Sequence, residues 1–412
     1  MGMGAMVGTG VFVSIGLAAG IAGPAVILAI ALAAGVAACN ALSSAQLAAN
    51  HPVSGGTYEY GYRLLNPALG FTAGWMFLCA KSASAATAAL GFAGYTCSAL
   101  RLDPVRWLIP AALAGVLALT LVVLAGMRRA GITNTIIVGI TLAALTAFII
   151  AGLPTALESA PDHLDPLFTG DLPGTLLHAT ALMFVAFTGY GRIATMGEEV
   201  RDPRRTIPRA IILTVILSAA LYIAVATVAV GAIGAPALAE ATRSSAAPLE
   251  AAARSFQWPG VHRIVAIGAI TAMLGVLLNL ILGLSRVLLA MSRRSDMPRL
   301  CARITTTRGV PAPATIAVGL LIGALAALGD IRATWSFSAF TVLIYYAITN
   351  LAALRLPKEQ RLYHPAVAIC GLVACLSLAF FVEVQIWLLG LGLIVAGLLW
   401  HALARRVTRR SE

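Results

Sequence analysis

The chain has 412 residues, 60% of them hydrophobic and only 11% charged, where a soluble domain has roughly 45 to 50% apolar and about 25% charged residues. That composition excludes a soluble fold. At about 20 residues per membrane-crossing helix plus connections, the length holds about twelve crossings and leaves no room for a large soluble catalytic domain. The net charge of +12 would suit nucleic acid in a soluble protein, but its placement here fits orientation in a bilayer, and no nucleic acid partner is expected.

In chain order, apolar runs bounded by Pro, Gly or charge fall at 1–20, 24–49, 67–99, 104–126, 132–153, 174–199, 208–233, 262–291, 311–329, 333–354, 363–382 and 385–404. Twelve transmembrane helices are expected, because a helix satisfies its own backbone where water is absent. β-barrel strands would be about half as long and would alternate in polarity. The first run has neither a basic leader nor a cleavage pattern, so it reads as a span and not as a removable signal peptide. Residues 154–173 read as an extracytoplasmic loop. Pro248 to Phe256 reads as a short amphipathic helix over the outer vestibule, with Leu249, Ala252, Ala253 and Phe256 on one face. The six cysteines have no paired spacing, so neither a disulfide nor a zinc site is expected.

If the N-terminus is inside, nineteen of the 28 Lys and Arg residues fall in loops on that side and six on the other, where Glu158, Asp162, Asp165 and Asp171 gather. Positive charge inside places both termini in the cytoplasm of a plasma (inner) membrane. Arg192 and Arg286 sit near inner helix ends and Lys81 near the middle of the third run; every acidic residue is in or beside a loop. Lys81 is therefore expected to be the only buried charge, and a carboxylate relay deep in the membrane has no residues to run on. With no carboxylate pair, H-E-x-x-H or nucleophile–base pair in the interior, the chain does not read as an enzyme, and no cofactor or metal is expected.

Two glycine triplets stand near the membrane midplane, Gly8-Thr9-Gly10 in the first run and Gly189-Tyr190-Gly191 in the sixth. Each interior glycine costs a helix about 1 kcal/mol relative to Ala, although small residues also serve close helix packing. Their positions open corresponding first and sixth spans, and five spans per half make the second half inverted. Residues 1–153 and 174–354 are then two inverted repeats, and 355–412 holds two peripheral helices and a short basic tail. Secondary carriers build a midplane site from such discontinuous helices 1 and 6. A zwitterion would place its carboxylate on N–H groups of Thr9, Gly10 and Val11 beside Gly8. Its ammonium would face carbonyls near Phe187, Thr188 and Gly189, with Tyr190 alongside. The opening Gly2-x-Gly4-x-x-x-Gly8 lacks the preceding strand and later acidic residue of a nucleotide-binding loop.

Gly8-Thr9-Gly10-Val11-Phe12, Ala22-Gly23-Pro24-Ala25 and Pro52-Val53-Ser54-Gly55-Gly56-Thr57-Tyr58-Glu59-Tyr60 resemble the first two helices and following loop of the amino acid-polyamine-organocation (APC) transporters. Gly189-Tyr190 followed by Glu198-Glu199-Val200-Arg201-Asp202-Pro203-Arg204-Arg205 resembles that superfamily's sixth helix and next loop, and Ser285-Arg286 to Arg293 with Val310-Pro311 resembles its eighth. The resemblance implies ten helices in two inverted repeats plus two peripheral ones, alternating access, and amino acids or related amines as substrates. Two departures stand out. Members usually carry a cytoplasmic tail and a longer first half-helix, whereas seven residues precede Gly8 here, which points to a shortened inner gate or a misassigned start. Many proton-coupled members carry a lysine near the position of Thr141.

Desolvation disfavours the charged form of a buried amine, so Lys81 is the candidate protonatable coupling group. Thr141 is either an oxygen ligand for sodium or a hydroxyl bonded to its own helix. Trp335, Phe337 and Phe340 are candidates for the pocket wall beside Phe187 and Tyr190, and His178 reads as a packed residue. Glu198, Glu199, Arg201, Asp202, Arg204 and Arg205 form a mixed cytoplasmic cluster that could pair with Arg293 and Arg294 as a gate, against the default of solvated loop charge. The expected function is secondary transport of a small neutral amino acid, coupled to protons or running as an exchanger. The alternatives are a carrier of cationic amino acids or polyamines, or a sodium-coupled version.

Overall fold

A computed structural model describes residues 4, 6–51, 55–126, 130–165, 172–191, 203–305 and 309–411. Among these the chain is all-helical apart from an isolated bridge between Thr305 and Val310. The helices are α1 (Thr9–Phe12), α2 (Ser14–Ala22), α3 (Val26–Asn50), α4 (Thr57–Leu64), α5 (Pro67–Leu100), α6 (Pro104–Leu124), α7 (Ala130–Leu164), α8 (Leu172–Phe187), α9 (Pro203–Ser245), α10 (Pro248–Arg254), α11 (Val261–Arg293), α12 (Ala312–Ala327), α13 (Ile331–Leu354), α14 (Pro365–Ala379) and α15 (Val384–Ser411).

Eight stretches among the described residues are long and apolar enough to cross a membrane, and α12 and α14 are shorter apolar helices. One of the eight, Ser14–Asn50, has 37 residues, about 55 Å of helix against a hydrocarbon core of about 30 Å. The chain divides it at Gly23, whose φ of 60° is open to glycine at little cost, and Pro24 follows. Starts are written into the sequence as caps. Asn66 accepts from Leu69 N at 2.8 Å, Asp103 from Val105 N at 3.0 Å and Asp330 from Ala333 N at 2.9 Å, the first two followed by a proline at the first helical position.

Three elements depart from the apolar runs. The fifth run continues as helix to Leu164, through Pro154 and Pro161, and the seventh continues to Ser245 past a bend at Gly234. α4 was read as loop because its eight residues, TYEYGYRL, carry no continuous apolar run. The short helix α10 lies where expected, with Leu249, Ala252, Ala253 and the following Phe256 buried.

α5 is the hub, packed against α4, α6, α11 and α13. It is buried along most of its length because it is built of Ala, Ser, Gly and Thr, which let backbones approach closely. Hydroxyl pairs stitch this seam: Ser84 to Ser338 at 2.7 Å, Thr87 to Thr334 at 2.9 Å, and Thr57 of α4 to Thr349 at 2.7 Å. Such bonds average about 0.6 kcal/mol each in a bilayer. α6 and α15 turn Leu117, Leu121, Leu388 and Leu399 outward.

Lys81 is not the only buried charge. Asp296 and Glu250 are 3% and 2% exposed. Both lie at helix ends, as read, but the ends fold inward and charge-assisted partners accept them there. A residue in left-handed conformation, Ser295, ends α11, and Asp296 N bonds back to Met291 O at 2.9 Å. This turns the Asp296 carboxylate inward, where it accepts from Tyr58 and Tyr62 hydroxyls at 2.7 Å each and lies 3.1 Å from His401 Nδ1 of α15. Glu250 on α10 accepts from Ser98 and pairs with Arg254 at 2.7 Å.

At the α10 end of the bundle, Glu383 joins three elements. Arg332 Nε of α13 donates to it at 2.8 Å and His178 Nε2 of α8 stands 3.4 Å away; His178 is thus packed against a carboxylate. Burial pushes the Glu383 carboxyl up, but the close approach of His178, its own backbone N–H and the hydrogen bond from Arg332 outweigh this and bring it down to about 2. The folded protein holds that proton less tightly than the unfolded chain does. The clasp therefore contributes fully above the ordinary value of 4.5 and is lost as pH falls towards 2. Glu383→Gln should lower the unfolding free energy in detergent by about 1 to 2 kcal/mol at pH 7 and flatten the fall of Tm that wild type shows between pH 4.5 and the lowest pH it survives.

Candidate functional site

The first break is a change of backbone direction before a new helix. Val7 and Gly8 leave helical geometry, Gly8 taking an extended φ of −169°. Val11 and Phe12 N–H bond back to Gly8 O at 3.0 and 3.1 Å, starting α1, which continues through a kink at Val13 into α2. The N–H groups of Thr9 and Gly10 thus head a helix and have no acceptor one turn back within it. Val11 lies one position too deep, since its N–H is already used. The second break follows α8 directly, where Thr188–Tyr190 tighten into a 3₁₀ turn.

The two breaks touch. A Cβ at Gly10 would lie 2.4 Å from Ala186 Cβ and 2.8 Å from Ala186 Cα, so only a hydrogen at that position lets the segments cross. Gly8 is similarly pressed on Val276 of α11.

Carbonyls released by the breaks are taken up by side chains from other helices. Tyr222 of α9 donates to Met6 O at 2.7 Å and reaches Ala186 O at 3.2 Å, bridging both breaks with one hydroxyl. Tyr346 of α13 donates to Thr188 O at 3.3 Å, Trp335 Nε1 to Leu182 O at 3.0 Å, and Tyr95 of α5 to Phe12 O at 2.8 Å. Tyr95 also accepts Leu249 N at 3.2 Å, fixing α10 to the same place. An unpaired buried carbonyl would cost about 1 to 3 kcal/mol.

A cavity of about 340 Å³ opens between the breaks. Thr9, Gly10, Thr188, Gly189, Lys81 and Trp335 line its deep part, and Gly55, Tyr58 and Arg286 line its α4 side. No lining residue belongs to α10. Lys81 and Arg286 are the only charged side chains among the described lining residues, and no carboxylate is among them. Lys81 Nζ donates to Thr188 Oγ1 at 2.7 Å, and that hydroxyl donates on to Val185 O at 2.7 Å. Thr9 Oγ1 is buried without a partner.

Other expected residues lie elsewhere. Phe187 is buried against Tyr222, ring centres 5.1 Å apart, and Tyr190 against Tyr346 at 5.5 Å; neither lines the cavity, and nor do Phe337 and Phe340. Thr141 donates to Ile137 O of its own helix at 2.7 Å and is outside the wall. Glu198, Glu199, Arg201 and Asp202 lie outside the described residues, as does the side chain of Arg204. Arg293 is exposed with no described acidic partner. Its neighbour Arg294 pairs with Glu59 of α4 at 2.9 Å and lies over the Tyr62 ring at 4.3 Å. With Asp296, Tyr58 and His401 this makes a polar cluster beside the α4 side of the cavity that sequence reading missed, for want of any recognised role for α4.

Two segments of main chain, broken at matching points and held open around a polar cavity, belong with a solute carrier, and the family comparison agrees. The amino acid permease family model matches residues 1–408. The chain belongs to this family, within the APC superfamily. Its members are transporters and not enzymes. An uncharacterised transporter of Mycobacterium tuberculosis is 41% identical over 416 aligned positions, covering 100% of this chain and 91% of that protein. A branched-chain amino acid permease of Bacillus subtilis is 26% identical over 87% of this chain and 79% of its own length. Cationic amino acid transporter 4 of Homo sapiens is 29% identical over 87% of this chain and 59% of its own.

Tyr222→Phe keeps the ring against Phe187 but strips the donor from two carbonyls, and should destabilise the permease by about 1 to 3 kcal/mol in detergent melts. Gly10→Ala should do at least as much by forcing α1 off Ala186, with transport in proteoliposomes lost.

Proposed function

We propose that the permease is a twelve-helix secondary carrier of the plasma (inner) membrane, both termini cytoplasmic, which moves a small neutral amino acid by alternating access. Its two inverted repeats are residues 1–153 and 174–354, and α14 and α15 lie outside them. One observation carries the reading. Thr9 and Gly10 at a helix start and Thr188 and Gly189 at a 3₁₀ turn share one cavity, which offers donors and acceptors to a solute charged at both ends. The unpartnered Thr9 hydroxyl is a further seat for a carboxylate oxygen.

The cavity's position favours a state facing the cytoplasm. We take its mouth to lie at the α4 end, since Gly55, Gly56 and Tyr58 line it and no lining residue belongs to α10. The Arg294–Glu59 pair and the Asp296 cluster lie beside that mouth and act as its gate. Charge favours a neutral substrate over a cationic one, because Lys81 and Arg286 repel a cation and no described lining carboxylate balances them. The name of the Bacillus subtilis relative points the same way; that of the human relative points to cationic substrates. Lys81, buried at Thr188, is the group through which protons couple to transport. With Thr141 bonded to its own helix, a sodium-coupled version has less to stand on.

A thermal-shift panel of the twenty amino acids and the common polyamines should show stabilisation by small neutral amino acids, about 2.7 kcal/mol at a hundred times Kd, and none by polyamines. Stabilisation by polyamines alone would overturn the substrate assignment. Lys81→Met should abolish pH-gradient-driven uptake in proteoliposomes yet retain counterflow exchange of preloaded amino acid. Gradient-driven uptake that survives the substitution would remove Lys81 from the mechanism.

A further inference from the structure

On the reading just given, the substrate's ammonium and the Lys81 ammonium seek the same acceptors. Thr188, which lines the cavity at the second break, carries two oxygens that are already engaged. Its hydroxyl accepts from Lys81 Nζ at 2.7 Å while donating to Val185 O, and its carbonyl accepts from Tyr346 at 3.3 Å. An ammonium that settles on the Thr188 hydroxyl comes within hydrogen-bond reach of Lys81 Nζ.

Among the described lining residues no carboxylate neutralises a second positive charge, and the substrate's own carboxylate is held at the head of α1. The helices packed on α5 bring Tyr58 from α4, Arg286 from α11, and Tyr345 and Tyr346 from α13 to the cavity, three phenols and a cation. Tyr222 of α9 is engaged by backbone carbonyls, and α12 carries no titratable side chain. Glu59 and Asp296 are taken by Arg294, Tyr58, Tyr62 and His401 at the mouth. Two ammonium groups on one hydroxyl, in a low-dielectric cavity with no carboxylate among its described lining residues, exclude each other.

We propose that amino acid and proton are mutually exclusive ligands of the Lys81–Thr188 pair, so that the permease is a proton–amino acid antiporter. Loading converts the Lys81 ammonium to a neutral amine and gives its proton to cavity water. The substrate keeps its own ammonium, which donates to Thr188 Oγ1 and to the lone pair freed on Lys81 Nζ. Release reverses the exchange. An inward proton gradient then drives amino acid outward.

The test uses full-length permease with L-valine as probe. In detergent at weak buffering, saturating L-valine should release close to one proton per protein bound, and its Kd should fall about tenfold per unit rise in pH while Lys81 remains protonated in the free protein. Isovalerate, which keeps the carboxylate and lacks the amine, should release none. In proteoliposomes, L-valine uptake should be driven by an acidic lumen under alkaline medium and not by the reverse gradient. Uptake driven by acidic medium, or L-valine binding without proton release, would overturn antiport while leaving the amino acid reading standing. Proton release by isovalerate would overturn competition through the amine. Failure of L-valine and of all other amino acids to bind would overturn the reading beneath it.

Discussion

A peptide group that loses its helical partner inside a membrane must find another within the protein, because hydrocarbon offers none. Everything central to this permease is arranged around that constraint. The two interruptions release carbonyls at Met6, Phe12, Ala186 and Thr188, and tyrosine hydroxyls from α5, α9 and α13 reach in to donate to them. Tyr222 serves both interruptions with one oxygen, so the segments are joined chemically where Gly10 and Ala186 join them sterically. What the protein leaves unfilled, the head of α1, the Thr9 hydroxyl and the remaining capacity of Thr188, is what a solute can claim.

The helical class, most span positions and the two interruptions were legible because each depends on local pattern: apolar runs of bilayer length, caps such as Asn66-Pro67, and glycine where bulk cannot fit. Lys81 was legible as a lone cation in an apolar stretch. The partners of the interruptions were not, since Tyr222 and Tyr346 look like ordinary membrane aromatics until the fold sets them against a particular carbonyl. For the same reason Phe187 and Tyr190, adjacent to the turn in sequence, were expected in the cavity wall and are instead buried behind it. Adjacency along a chain says nothing about which side of the turn a ring takes.

Charge placement was legible as a count and less so in detail. The inventory located the cations and acids along the chain without saying which of them the fold would bury. The assumption that loop acids are solvated failed at Asp296 and Glu250, where helix ends tuck inward and tyrosine, serine or histidine replaces water. Both acids fasten short helices, α4 and α10, at opposite ends of the cavity axis. Polar groups at the ends of the bundle therefore fasten short helices, while those in the middle partner the interrupted main chain.

The Asp296 knot also ties the far end of the chain to the mouth. α15 shows much of its surface to lipid, yet its His401 reaches the carboxylate that orients Tyr58, and its Trp400 donates to the Asp296 carbonyl at 2.9 Å. A change at either Asp296 or His401 would strand its partner in a dry pocket. The two positions should thus be inherited as a couple, which makes α15 a distant brace for α4.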